Sequence, residues 1–172
     1  MSTLFPQDLY DAAKALLDDL RRHALLVVTA ESCTGGLVSG LLTEVPGASG
    51  MVERGFVTYS NAAKTELLGV PAEMIERYGA VSEEVARAMA DGALARTPAH
   101  IALSITGVAG PDGGTAAKPV GLVYLGVAAR GSSTRVRECR FGDIGRQEVR
   151  LASVREGIGL LASAITPGMP HD

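Results

Sequence analysis

The sequence predicts an α/β fold, a three-layer α/β/α sandwich with a mixed, mostly parallel sheet, on three observations. Apolar runs of strand length alternate with helical patterns through the first half of the chain, as they do where helices join parallel strands. The later strand-like segments, 101–105, 120–129 and 134–141, follow one another with only loops between them, which adds antiparallel neighbours to the sheet. Three polar segments, "ESCTGG", "YSNAAK" and "TGVAGPDGG", each follow an apolar run and so fall at the carboxyl ends of strands, where open α/β sheets bind ligands.

Each element has its own local reason. Residues Gln7 to His23 place Leu9, Ala12, Ala13, Leu16, Leu17 and Leu20 at helical spacing with charges between, an amphipathic helix suited to cover one sheet face. Leu25 to Val28 is the opening strand and Leu37 to Leu42 the helix after it; Pro46-Gly47-Ala48-Ser49-Gly50 then breaks the pattern. Val52 to Ser60 is a second strand, running into a helix that begins at Asn61. Ser82 followed by Glu83 and Glu84 marks an N-cap and an acidic first turn, favourable at the positive end of a helix dipole, for a helix through Arg96 that Thr97-Pro98 ends. Ile101 to Ile105 is a short buried strand, Gly107 to Gly114 a glycine-rich loop, and Val120 to Ala129 another strand. Thr134 to Phe141 sets Val136 and Cys139 among arginines and glutamate, which suits an edge strand. A last helix spans Arg146 to Ile165, weakened by Gly157 and Gly159, before a tail expected to fray.

With 172 residues, 47% of them apolar, one core and a single domain over 1–172 are expected. Sixteen Lys and Arg against 19 Asp and Glu, with 4% aromatic residues, give neither the positive field nor the stacking platforms that a nucleic-acid partner needs. No apolar run is long enough to span a bilayer, and Met1 to Pro6 lacks the basic and apolar regions of a secretion signal, so no membrane partner and a cytoplasmic location are expected. Cys33 and Cys139 are then read as reduced thiols.

The stretch "TAESCTGG" crowds reactive side chains at a strand-to-helix turn. Ser32 has two readings: an N-cap for the helix behind it, or a nucleophile whose neighbours Thr34, Gly35 and Gly36 offer backbone N–H groups to an oxyanion. Cys33 is a rival nucleophile, because a thiol at a helix N-terminus can be acidified, or else a small apolar filler. The pattern G-x-S-x-G is absent, and His23, His100 and His171 all lie outside the polar loops, which disfavours a Ser-His-Asp triad, a Cys-His pair and a His-rich metal site alike. A serine without histidine needs another base, and Lys64 is the candidate. It sits in the first turn of a helix, where the dipole, and burial if it is buried, favour the neutral amine; the alternative is a solvated surface lysine. Tyr59 could hydrogen-bond a reacting group or pack as a strand aromatic, and Thr106 could offer its hydroxyl to phosphate or amide. Gly107 opens a loop whose glycine density suits close approach to a ligand or a tight turn, although it matches neither common phosphate-loop pattern. Asp112 fits turn chemistry better than a metal site.

Taken in order, "TAESCTGGL", "RGFVTYSNAAKTELLGV", "GAVSEEVA" and "SITGVAGPDGGTAAKPVGLVYLG" resemble the CinA carboxy-terminal domain family, the nicotinamide-nucleotide amidases, over nearly the whole chain. The resemblance implies a stand-alone deamidase that hydrolyses the carboxamide of nicotinamide mononucleotide to nicotinic acid mononucleotide and ammonia, with no metal and no cofactor. It implies Ser32 as nucleophile and Lys64 as base, with Tyr59 and Thr106 around the reacting group. Arg150, in "VRLAS", looks like the arginine opening the family's final helix and is the candidate phosphate partner. The family's Gly-Asp-Arg is interrupted here as "GDIGR", so Arg146 is a second candidate. A homo-oligomer, a dimer among the options, is expected. Two other readings stand beside the enzyme: a nucleotide-binding regulatory module without catalysis, and a scaffold associated with DNA uptake.

Overall fold

The computed structural model describes residues 4–166. Five strands form one sheet in the order β2-β1-β3-β4-β5: β1 Val27–Glu31, β2 Val52–Val57, β3 Ile101–Gly107, β4 Leu122–Ala129 and β5 Arg135–Arg140. β1 pairs in parallel with both β2 and β3, and β4 runs antiparallel to β3 and β5. Four of the five strands therefore point the same way, and the sheet is mixed, as the sequence predicts.

The period of two along each strand sorts side chains onto two faces. Val27, Ile101, Leu103, Ile105, Val123 and Leu125 pack with helices α1 (Gln7–Arg22), α2 (Leu37–Glu44) and α6 (Arg146–Ala164). Val28, Ala30, Ala102 and Ala128 pack on the other side with α3 (Asn61–Leu68), α4 (Ala72–Tyr78) and α5 (Glu83–Ala95). The second face is lined by small residues because α5 lies close to it. Ser104 Oγ donates to the carbonyl of Ala86 in α5 at 2.6 Å, and a Cβ on Gly126 would stand 2.7 Å from that same oxygen. Gly157, which weakens α6 by propensity, has the same cause: a Cβ there would meet Leu103 Cδ2 of β3 at 2.8 Å, so the glycine lets α6 sit down on the sheet.

Most elements fall where the sequence places them, with three differences. β1 is Val27–Glu31, entirely buried, rather than Leu25 to Val28. β2 stops at Val57 and leaves Thr58, Tyr59 and Ser60 as the loop that leads into α3. Helix α4 occupies a stretch to which the sequence pattern assigns no element. The charged β5 is an edge strand as expected, and the tail beyond Thr166 lies outside the described residues.

The parallel direction of β1, β2 and β3 brings their carboxyl ends to one rim of the sheet. Ser32 N–H donates to Ile105 O and Thr58 N–H to Glu31 O, extending the ladder by one bond on each side, so the first residues of the loops are held as firmly as strand residues. β5 points the same way and delivers the chain, through Gly142 and Gly145, to the start of α6 at that rim.

Candidate active site

Ser32 leaves β1 and stands beside Lys64, which projects from the end of the first turn of α3. Lys64 Nζ lies 2.9 Å from Ser32 Oγ, 2.8 Å from Thr58 O and 3.4 Å from Tyr59 O. The lysine is buried, 1% exposed, and no carboxylate among the described residues is paired with it. Burial disfavours the ammonium, and the amine is pushed down to about 8 from an ordinary lysine value. A neutral amine has two N–H bonds and one lone pair. With the N–H bonds on the two carbonyls, the lone pair is left for the hydroxyl of Ser32.

Glu31 is a site residue that the sequence reading left without a role. Its carboxylate is fully buried and accepts from the N–H groups of Gly36 and Val38 at 3.1 Å and of Ser39 at 2.9 Å, with the hydroxyls of Ser39 and Thr29 as well. It thus caps α2 from the strand before it, supplying an anion at the positive end of the helix. Ser32 does not cap that helix. The signal available in the sequence was a carboxylate ending an apolar strand with a helix start a few residues on.

Gly35 and Gly36 have φ of +58° and +97°, a left-handed pair that only glycine adopts without strain. Their N–H groups, expected to face an oxyanion, are committed instead: Gly35 N–H donates to Ser32 O and Gly36 N–H to Glu31. Among the described residues, the N–H groups of Cys33 and Thr34 find no acceptor, so the open donors of the turn lie one and two residues after Ser32. The Thr34 side chain is buried, and its Oγ1 has no partner. Cys33 is also buried, and burial pushes its thiol up to about 12, which leaves it protonated at neutral pH and a poor nucleophile.

Ser32, Cys33, Tyr59, Lys64, Thr106 and Gly107 line one open cavity of about 310 Å³, bordered by the glycine loop and by Arg146. Thr106 Oγ1 donates to Ala80 O, so its proton is already placed and its lone pairs remain. Gly107 is glycine because β4 passes close: a Cβ there would meet Val123 Cγ2 at 2.6 Å and Leu122 O at 2.8 Å. Arg146 donates to Gly110 O at 2.8 Å and to the hydroxyl of the exposed Tyr59 at 3.3 Å, bridging two of the loops. Asn61 and Asp112, neither of them singled out for this site, also line the cavity, and Asp112 with Arg146 gives its rim a charge of each sign.

Arg150 is placed differently from Arg146. It is not a lining residue of this cavity; its Nε donates to Cys33 O at 3.1 Å and its terminal nitrogen to Thr34 O at 3.0 Å. The expected phosphate partner therefore grips the backbone of the turn after Ser32. Among the described residues, no group of three His, Cys, Asp or Glu side chains could hold a metal ion, and no helix is long and apolar enough to cross a membrane.

The molecule is thus a mixed α/β sandwich with a buried serine–lysine pair at the carboxyl ends of its parallel strands. The chain belongs to the CinA C-terminal domain family, whose model matches residues 9–165. A CinA-like protein of Mycolicibacterium vanbaalenii is 48% identical over 94% of this chain and 39% of its own length, and one of Akkermansia muciniphila is 56% identical over 71% of this chain and 30% of its own. The chain thus spans roughly a third of the length of these curated relatives. Among solved structures, the competence/damage inducible protein CihA of Agrobacterium tumefaciens superposes with a TM-score of 0.93 at 50% identity, covering 95% of this chain and 99% of that one. A CinA superfamily protein of Escherichia coli gives 0.86 at 34% identity, covering 94% of each chain.

Proposed function

We propose that this protein is an amidohydrolase that cleaves the carboxamide of nicotinamide mononucleotide to nicotinic acid mononucleotide and ammonia, with Ser32 as nucleophile and Lys64 as general base. The observation that carries the reading is the buried Lys64 amine 2.9 Å from Ser32 Oγ, without an anion to keep it charged. Neutral Lys64 takes the hydroxyl proton as Oγ attacks the carboxamide carbon, and the oxyanion that forms is held by the open N–H groups of Cys33 and Thr34. Collapse of the intermediate breaks the C–N bond, and the lysine ammonium gives its proton to the departing NH2 group, which leaves as ammonia. Lys64, neutral again, then takes a proton from the water that attacks the Ser32 ester and returns it to Oγ as the acyl–oxygen bond breaks, releasing the carboxylic acid product.

The substrate's charges suit the cavity. Its pyridinium withdraws electrons from the carboxamide and, beside Lys64, further disfavours the ammonium. Arg146 at the rim is the cation for the phosphate, since Arg150 is engaged with the turn. The reading sets the enzyme in the cytoplasm with the free nucleotides it acts on.

An ammonia-release assay on nicotinamide mononucleotide, nicotinamide riboside and glutamine tests this. The mononucleotide should be turned over, the riboside at least about tenfold less efficiently because it lacks the remote phosphate, and glutamine not at all. No ammonia from the mononucleotide overturns the reading, and equal efficiency with the riboside removes the phosphate site.

A further inference from the structure

We infer that Arg150 is a positioning residue for the oxyanion site: by holding the carbonyls of Cys33 and Thr34, it aims the Thr34 N–H at the reacting group. This rests on the reading of Ser32 as a nucleophile, but not on the identity of the amide that Ser32 attacks.

A trans peptide is planar, with its C=O and N–H pointing in opposite directions. The peptide joining Cys33 to Thr34 has its oxygen on Arg150 Nε, which turns the Thr34 N–H away from α6. The next peptide has its oxygen on the terminal nitrogen of Arg150 and also on the Leu37 N–H at 3.1 Å, and its own N–H, that of Gly35, closes the turn on Ser32 O, so it is the Cys33–Thr34 peptide that depends on Arg150 alone. That bond to Ser32 O in turn sets the peptide carrying the Cys33 N–H. On the far side, Glu31 holds the Gly36 N–H. Every peptide plane from Ser32 to Gly36 is thus fixed by a named partner, and the two N–H groups left over are those nearest the nucleophile.

The guanidinium suits this task because two of its N–H groups diverge in a rigid fork, matching two successive carbonyls in a way that a lysine point charge cannot. A Cβ at Gly35 would stand 3.4 Å from the Arg150 terminal nitrogen, an ordinary contact, so what calls for glycine there is its φ of +58° rather than the guanidinium. No carboxylate among the described residues is paired with Arg150, so its positive charge also remains close to where the oxyanion develops. Arg146, one turn earlier, faces the open cavity, and its hydrogen bonds go to Gly110 O and the Tyr59 hydroxyl rather than to the turn.

The test compares Arg150→Ala, Arg150→Lys and Arg146→Ala on the mononucleotide and the riboside, and follows p-nitrophenyl acetate as a small acyl donor that has neither phosphate nor pyridine. A positioning role predicts that Arg150→Ala lowers kcat roughly 100-fold on both nicotinamide substrates with KM within about twofold, and slows p-nitrophenolate release by a similar factor. Arg150→Lys, which keeps the charge but loses the fork, should fall roughly tenfold, and it decides the matter if the alanine variant does not fold. Added methylguanidinium should restore part of the Arg150→Ala rate, which a merely structural loss would not show. Arg146→Ala should instead raise KM for the mononucleotide alone. If wild type releases no ammonia from the mononucleotide but is acylated by p-nitrophenyl acetate, the substrate reading fails and the acylation rates still judge Arg150. The inference is overturned if the Arg150 variants raise KM for the mononucleotide only, if they acylate at the wild-type rate, or if wild type reacts with none of the three compounds.

Discussion

Among the described residues, three serines stand in the segments that lead into helices, and they do not share a task. Ser60 and Ser82 accept from the N–H groups of Ala63 and Val85, three residues on, and cap α3 and α5 as serines at such positions do. Ser32 stands before α2 in a similar sequence setting, yet the helix starts at Leu37 behind Gly36, and the buried carboxylate of Glu31 meets its first N–H groups. The contrast shows how a hydroxyl before a helix is left without a cap to make. Where a neighbour satisfies the helix end, the serine needs no backbone partner and can turn to Lys64.

The largest effect should come from removing the freed hydroxyl. Ser32→Ala is expected to lower kcat for ammonia release from nicotinamide mononucleotide by at least about 10⁴-fold with the fold intact, whereas Cys33→Ala should keep most of the rate. Steady-state kinetics beside a circular dichroism melt would show this, and the opposite pattern would move the chemistry to the thiol.

Next comes the residue that frees it. In Glu31→Gln one carboxylate oxygen becomes an NH2 group. It must then face either the N–H groups of Gly36 and Val38 or the N–H of Ser39 with the hydroxyls of Ser39 and Thr29, and on either side it sets a donor against a backbone donor. A loss of about 2–3 kcal/mol in urea unfolding is expected, with a fall in kcat, since the charged hydrogen bonds that anchor the turn are lost. A variant as stable and active as wild type would mean that Glu31 does not set the turn.

The smallest effect belongs to an ordinary cap. Ser82→Ala should cost about 1 kcal/mol, a fall of roughly 2–4 °C in Tm for a chain of this length, and leave turnover nearly unchanged. A catalytic loss there comparable to that of Ser32→Ala would erase the distinction between the serines.

The same contrast explains what could be read in the sequence. The three polar loops were legible as one site because each follows an apolar strand, and strand polarity alone brings their ends together. β1 ends three residues too soon in the sequence reading because Thr29 and Glu31 look like loop residues until the helix end that buries Glu31 is known, and it starts two residues early because Leu25 and Leu26 continue the apolar run. Gly35 and Gly36 were expected to offer N–H groups that are in fact committed to Ser32 O and Glu31, since a glycine pair shows where the backbone turns but not where its donors point. Arg146 and Arg150 share one helix and one charge; what separates them is a contact between Arg150 and carbonyls 116 and 117 residues away, which no local spacing encodes. Helix α4 escaped notice because it is seven residues long and buries only Ile75, too little for an apolar period to register.

The central claim is that Lys64 acts as a neutral base on Ser32, and the pH dependence of ammonia release tests it most directly. Burial lowers the amine to about 8, so the active form is scarce below that pH and dominant above it. With saturating nicotinamide mononucleotide between pH 6 and 10, wild type should rise along a single limb with its midpoint near or below that value, the cationic substrate shifting it downward if it shifts it at all. Lys64→Arg keeps a cation that cannot deprotonate in this range, and it should be as inactive as Lys64→Met at every pH. Substantial turnover by Lys64→Arg with the same limb would show that residue 64 serves as a fixed positive charge and that another group takes the Ser32 proton.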